Sequence, residues 1–153
     1  MAVAGQPPGA IEVISLTVAG HAFCIDIFAV REIRGWAAAT PLPQAPDYVI
    51  GVINLRGTVM PVLDLGARLG LGATDVTSRH VTVVIQRDDD LVGLVVDEVQ
   101  ETIIIQSDEL QPPPHYAATE EVFVDALIPR GGQILGRLRV EALLPPDAVQ
   151  IAA

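Results

Sequence analysis

Tyr48-Val49-Ile50-Gly51-Val52-Ile53-Asn54-Leu55-Arg56-Gly57-Thr58-Val59-Met60-Pro61-Val62-Leu63-Asp64-Leu65 holds two apolar, β-branched runs, Val49 to Leu55 and Thr58 to Leu63, that meet at Arg56-Gly57. Runs of this composition divided by turn residues read as the two strands of a hairpin. Its tip carries Asn54, the only asparagine in the chain. Asn and Gly both tolerate the dihedrals of a tight turn. Gly51 and Gly57 are assigned to backbone geometry rather than to contact. Asp64 stands where it can cap a short helix through Leu69, ended by Gly70 and Gly72. On physical grounds alone this is a hairpin with one solvated arginine, Arg56.

The same style extends in both directions. Ile11 to Val18 reads as a strand, Ala19-Gly20 as a tight turn, and Ala22 to Ile27 as the hairpin partner, with Phe23, Ile25 and Ile27 alternating onto one face. Phe28 to Trp36 reads as a short turn followed by a strand. The prolines of Thr40 to Pro46 exclude helix and central strand, leaving a surface connection or an extended edge. Further on, Val81 to Ile85 and Leu91 to Val96 flank a charged loop, Gln86 to Asp90. Val99 to Ile105, a turn at Ser107 to Leu110, strands at Val122 to Ile128 and Ile134 to Leu138, and a helical turn at Glu141 to Leu144 complete the pattern. Nine or ten strands with local connections imply an all-β fold of barrels or a sandwich. No repeat of fixed period stands out. Residues 1–10 read as a disordered leader and 146–153 as a short tail.

Composition narrows the function. Net charge is −10 and the nine positive residues are all arginines scattered along the chain, which argues against nucleic acid, since phosphate contact needs a concentrated basic surface. Isolated arginines suit protein partners, because the planar guanidinium makes directional paired contacts. No apolar run approaches the roughly 18 residues of a membrane span, and no basic residue precedes an apolar stretch at the N-terminus. An intracellular protein is the expectation.

Catalytic and metal-binding constellations are not legible. His21, His80 and His115 lie far apart, without a neighbouring Cys or Asp at ligand spacing. None of Ser15, Ser78 and Ser107 sits in a G-x-S-x-G elbow. Lysine is absent, which excludes a Walker-type phosphate loop and Schiff-base chemistry. The single Cys24 lies in an apolar stretch and reads as a buried, inert thiol. Asp88 to Asp90 reads as a solvated turn, lacking the framework of a calcium loop. Neighbours such as Asp97-Glu98 and Glu120-Glu121 face opposite sides of an extended chain. No cofactor and no metal are expected, and the chain is read as a non-enzyme.

Gly51-Val52-Ile53-Asn54-Leu55-Arg56-Gly57 followed by Val59-Met60-Pro61-Val62-Leu63-Asp64-Leu65 resembles the hallmark of the CheW family of chemotaxis coupling proteins. Three further stretches are similar to family motifs in the same order: Ile25-Asp26-Ile27 with Val30-Arg31-Glu32-Ile33-Arg34-Gly35-Trp36, then Thr40-Pro41-Leu42-Pro43, then Val92-Gly93-Leu94-Val95-Val96-Asp97-Glu98-Val99. The resemblance spans residues 11–144, and the CheW-like domain is placed at 11–145. It implies two small five-stranded β-barrel subdomains with an apolar groove between them. It also implies an adaptor without catalytic activity that bridges the cytoplasmic tips of methyl-accepting chemoreceptors to the histidine kinase CheA. Recruitment to membrane receptor arrays and ring assemblies with the kinase's homologous regulatory domain follow from the same resemblance. A CheW-like scaffold of a non-flagellar pathway, a kinase competitor and a small-molecule-binding barrel are the alternatives.

By its place in the motif, Arg56 is the first candidate for receptor contact, making a charge-assisted bond to a carboxylate or a helix-end carbonyl. Asn54 accompanies it, and Val30, Glu32 and Ile33 are matching candidates across the groove. The structural alternative stays open: Val30 and Ile33 as core, Glu32 paired with Arg34 or Arg56. The last quarter departs from the family pattern. Asp125 stands where a glycine is common, Gly136 weakens a strand, and Arg137 is unfavourable if it faces the core. The packing of the last strand is therefore expected to be disturbed.

Overall fold

Among the described residues ten strands account for the apolar runs, and their alternation explains why the runs are nearly continuous. The structure is a computed structural model in which residues 9–114 and 123–144 are described. The strands are β1 (Ala10–Val18), β2 (His21–Asp26), β3 (Val30–Gly35), β4 (Val49–Leu55), β5 (Thr58–Asp64), β6 (Val81–Arg87), β7 (Asp90–Val96), β8 (Glu98–Gln106), β9 (Val124–Arg130) and β10 (Gln133–Leu138). Two one-turn helices, α1 (Leu65–Arg68) and α2 (Val140–Leu143), follow β5 and β10. They form two five-stranded sheets, ordered β8-β1-β2-β10-β9 and β3-β6-β7-β5-β4. This is the all-β, two-subdomain architecture that the resemblance implies. The edges of each sheet are tied by single bridges, Thr40 to Val52 in one and Gln111 to Leu127 in the other.

Three buried clusters hold these sheets. Val13, Cys24, Ile103, Ile105, Ile128 and Leu135 form a core belonging to the first sheet alone. Leu55, Met60, Val62, Val84 and Val95 do the same for the second. Between them lies a shared core drawing Leu16, Val18 and Ile25 from one sheet and Leu63, Val83, Ile85 and Leu94 from the other. Successive strand residues point to opposite faces. Thus Val83 and Ile85 fill the shared core while Val84, between them, fills the second sheet's own. A strand buried on both faces is nearly all apolar, as Val81 to Ile85 is, with Thr82 its one polar member.

The chain runs through one plan twice. A hairpin is followed by a crossing to the other sheet, an edge strand, a second hairpin and a helical turn: β1 to α1, then β6 to α2. Each half's first hairpin is built into the sheet made by the other half's last three strands. The β1–β2 hairpin pairs with β8 and, in parallel, with β10. The β6–β7 hairpin pairs with β3 and, in parallel, with β5. At equal spacing in the two halves, Asp64 N–H donates to Tyr48 O and Arg139 N–H to Phe123 O, each at 2.7 Å. Arg68 fastens the halves together. Its guanidinium lies 4.5 Å from the Tyr48 ring and 4.8 Å from that of Phe123. It also donates to Leu143 O (2.8 Å) and Ala142 O (2.9 Å) at the end of α2, satisfying carbonyls that a helix end leaves without partners.

Several expectations shift. Ala10 belongs to β1 rather than to the leader, and Ile27 leaves the strand for a 3-10 turn at Ile27–Ala29 that Asp26 caps (Phe28 N–H to Oδ1, 3.3 Å). The charged loop shrinks, because β6 extends to Arg87 and β7 starts at Asp90. The last strand is packed along its inward face, with Ile134 near its start exposed, a correction to the expected disturbance. Leu135 and Leu138 are buried. Arg137 is held by the other departure, Asp125, with Nε to Oδ1 at 2.9 Å and Nη2 to Oδ2 at 3.2 Å, and this bond raises the arginine's pKa. The two unusual residues compensate one another. Gly136 gives room to Phe23 and Val124, whose side chains would stand 3.2–3.4 Å from an added Cβ. Residues 1–8 of the expected leader, His115, Glu120-Glu121 and the tail at 146–153 lie outside the described residues. Among the described residues no helix is long and apolar enough to cross a membrane.

Candidate functional site

The β4–β5 hairpin pairs Leu55 with Thr58, leaving a two-residue turn of Arg56 and Gly57. Both have positive φ, 52° and 87°, as the primed turns that match strand twist require. Asn54 stabilises the turn by accepting the Gly57 N–H at 2.8 Å. Gly51 serves a close approach: an added Cβ would lie 2.3 Å from Thr40 O, where the Thr40–Val52 bridge draws the proline connection onto β4. Asp64, buried, caps α1 by accepting the Ala67 N–H (3.3 Å). It also accepts the Thr74 N–H and hydroxyl at 2.7 and 2.6 Å.

The turn projects Arg56 toward β3, where it binds Glu32 Oε1. Arg34 lies 3.4 Å from the other carboxylate oxygen. Glu32 and Arg34, two apart on a strand, share a face. The bond to Arg56 holds the Glu32 carboxyl below the usual carboxylate range, and its partner's pKa rises correspondingly. Val30 packs against the shared core, whereas Ile33 is 46% exposed. The candidates expected to face one another across a groove therefore belong to one sheet. β3 and β4 are its two edges, and the space between the sheets is filled by the shared core.

Beside the ion pairs runs a furrow lined by Arg34, Ala37, Ala38, Thr40, Val59 and the outer residues of β4. Val59 is 45% exposed. Small and apolar residues thus form a trough whose rim carries charge. A second, more polar cleft lies beside the first sheet, between Asp26, Phe28 and the Arg137–Glu141 stretch, and Phe28 is 74% exposed at its margin. Sequence reasoning missed the furrow, whereas the pairing of Glu32 with Arg34 and Arg56 is the alternative it left open.

The other candidates do not converge. His80 Nε2 lies 3.4 Å from Asp97 Oδ1, whose other oxygen accepts the Ala19 N–H (2.8 Å). His21 Nδ1 is 3.0 Å from Ala19 O. Burial pushes the Cys24 thiol up to about 12, a value at which almost no thiolate forms near neutral pH. Among the described residues no group of three His, Cys, Asp or Glu side chains is arranged to hold a metal ion.

Comparison with known proteins agrees with this architecture. The family model described as a CheW-like domain matches residues 12–147. "Chemotaxis protein CheW" of Rhizobium meliloti is 41% identical, with 94% of each chain covered. "Probable chemotaxis protein CheW" of Rhizobium etli is 39% identical over 93% of this chain and 92% of its own. The crystal structure of the scaffolding protein TtCheW from Thermoanaerobacter tengcongensis superimposes with a TM-score of 0.83 at 25% identity, covering 97% of this chain and 96% of the other. A sequence match over nearly the whole length, joined to a match of fold, leaves one assignment: the chain belongs to the CheW-like family of non-catalytic chemotaxis scaffold proteins.

Proposed function

We propose that this chain couples the cytoplasmic tips of chemoreceptors to the histidine kinase CheA. One observation carries the reading: an exposed arginine at a hairpin tip, in an ion-pair network, beside a trough of small and apolar residues. A receptor tip is an antiparallel helical hairpin, and an amphipathic helix offers an apolar ridge flanked by charges. The ridge suits the trough, and a flanking carboxylate suits Arg56. Arg56 is the receptor-binding residue in this reading, with Glu32, Asn54 and Ile33 beside it. Val30 supports them from below, and Gly51, Gly57 and Asp64 hold the backbone. The scaffold would act from the cytoplasm at membrane receptor arrays, with one CheW-like domain over residues 11–145. The kinase-facing surface is assigned no residues.

The departures in the last strand are the sequence feature that would favour a kinase competitor or a non-flagellar scaffold. The Asp125–Arg137 pair accommodates them, so they no longer motivate that alternative.

Co-sedimentation with receptor fragments and the kinase tests the proposal. Wild type is expected to enter the complex and Arg56→Glu, which reverses the charge, to be largely excluded. Failure of the wild type to join would overturn the coupling role. Normal recruitment of Arg56→Glu would move the docking site elsewhere on the protein.

A further inference from the structure

Arg34 belongs both to the ion-pair network and to the lining of the furrow. We propose that Arg34 is a positioning residue that allows Arg56 to leave Glu32 for a partner's carboxylate. The inference rests on the docking role given above and deepens it.

The three charges are unequally placed. Arg56 stands at the tip of a two-residue turn with 65% of its side chain exposed, whereas the Glu32 side chain is only 26% exposed. Arg34, 37% exposed, is anchored on a strand whose ladder continues on either side of it, with Arg34 opposite Thr82 and Gly35 opposite Val81. The outermost charge is thus the one free to reach outward, and the innermost is the carboxylate. If Arg56 turned to a partner in the absence of Arg34, Glu32, half-buried on β3, would be left without a counter-ion, an unfavourable state. Arg34 removes that obstacle, because it already lies against the second carboxylate oxygen.

The furrow adds coupling. An apolar ridge entering beside Arg34 displaces water from its flank. With less screening, a Glu32 that Arg56 has left depends more on Arg34 for its counter-charge. Arg34 touches the partner's charge only through this exchange, so its influence must vanish when Glu32 carries none.

Titration calorimetry with the full chain and a receptor cytoplasmic-tip fragment tests this. Arg34→Gln is expected to weaken binding about threefold in the wild-type background, as befits one exposed ion pair. In the Glu32→Gln background it is expected to have no effect, a non-additivity that a double-mutant cycle measures directly. Arg34→Lys, which keeps a counter-charge, should recover most of the affinity, and thermal unfolding of each variant separates binding losses from folding losses. Equal weakening in both backgrounds would show that Arg34 contacts the partner itself, and no weakening in either would leave it without a role; each outcome overturns the inference while the docking reading stands. Absence of binding by the wild type overturns the docking reading, and this inference with it.

Discussion

In the sheet β3-β6-β7-β5-β4, Asp64 returns a hydrogen bond to Tyr48. In the sheet β8-β1-β2-β10-β9, Arg139 returns the same bond to Phe123 at the same spacing. Between those anchors the two hairpins differ in kind. Where one places Ile50 and Val62, the other places the ion pair of Asp125 and Arg137. Where one needs Gly51 to let Thr40 approach, the other has Ala126 beside the Gln111–Leu127 bridge. The helical turn after Asp64 has a side-chain cap, and the one after Arg139 has none. Each hairpin sends an arginine to a glutamate at the opposite edge of its sheet, Arg56 to Glu32 within β3 and Arg130 to Glu109 just after β8. Backbone connectivity and the apolar cores are therefore held in common, while the polar groups at the margins vary. Any specialisation of one sheet for partners has to reside in those margins.

The comparison breaks most easily through the shared core. Leu63→Ala removes a fully buried side chain that both sheets use. It is expected to cost about 3–4 kcal/mol. Urea unfolding should still show one transition, and two separate transitions would mean that the sheets are independent units. Gly51→Ala probes the asymmetry at the bridges. The added Cβ meets a backbone carbonyl that cannot move aside cheaply, so about 2 kcal/mol should be lost, whereas Ala126→Gly in the other sheet should cost less than about 1 kcal/mol.

The Asp125–Arg137 pair offers a finer contrast. Asp125→Ala leaves a partly covered guanidinium without its partner and should destabilise by about 1 kcal/mol, moderated by the exposure of both groups. Replacing both residues with the apolar pair of the other sheet, Asp125→Ile with Arg137→Val, should be neutral or stabilising in the same unfolding assay. A large loss in that double variant would show that the ion pair itself is required.

The smallest effect concerns pH. Glu32 is held below its ordinary range by Arg56, so its folded-state pKa lies below its unfolded value. Its contribution is fully present above about pH 4.3 and fades as pH falls through the folded value. Glu32→Gln should flatten that part of the curve, and parallel curves from about pH 6 to about pH 3 would mean that the pair adds nothing.

Much of this was legible in the residues. The hairpin at Val49 to Leu63 and the cap at Asp64 could be read directly, because turn and capping chemistry are local. The doubled plan could not. The two hairpins share a backbone path, yet Ile50 and Val62 of one stand where the other has Asp125 and Arg137, so the residues do not announce the repeat. Arg137 misled for a different reason. Its unfavourable setting is repaired by Asp125 across the β9–β10 ladder, and nothing within its own strand announces the partner. The place of the docking candidates was also hidden, since Glu32 on one edge strand meets Arg56, at the tip of the hairpin that forms the other edge, only through long-range folding.

The exchange of first hairpins between sheets has a consequence during synthesis. Val13 pairs with Ile103, and Phe23 with Gly136. At a translation rate of about 5–20 residues per second, β1 and β2 leave the ribosome on the order of ten seconds before the strands that receive them. During that interval Leu16, Val18 and Ile25 have no core to enter, which makes the nascent N-terminal half a natural client for chaperones.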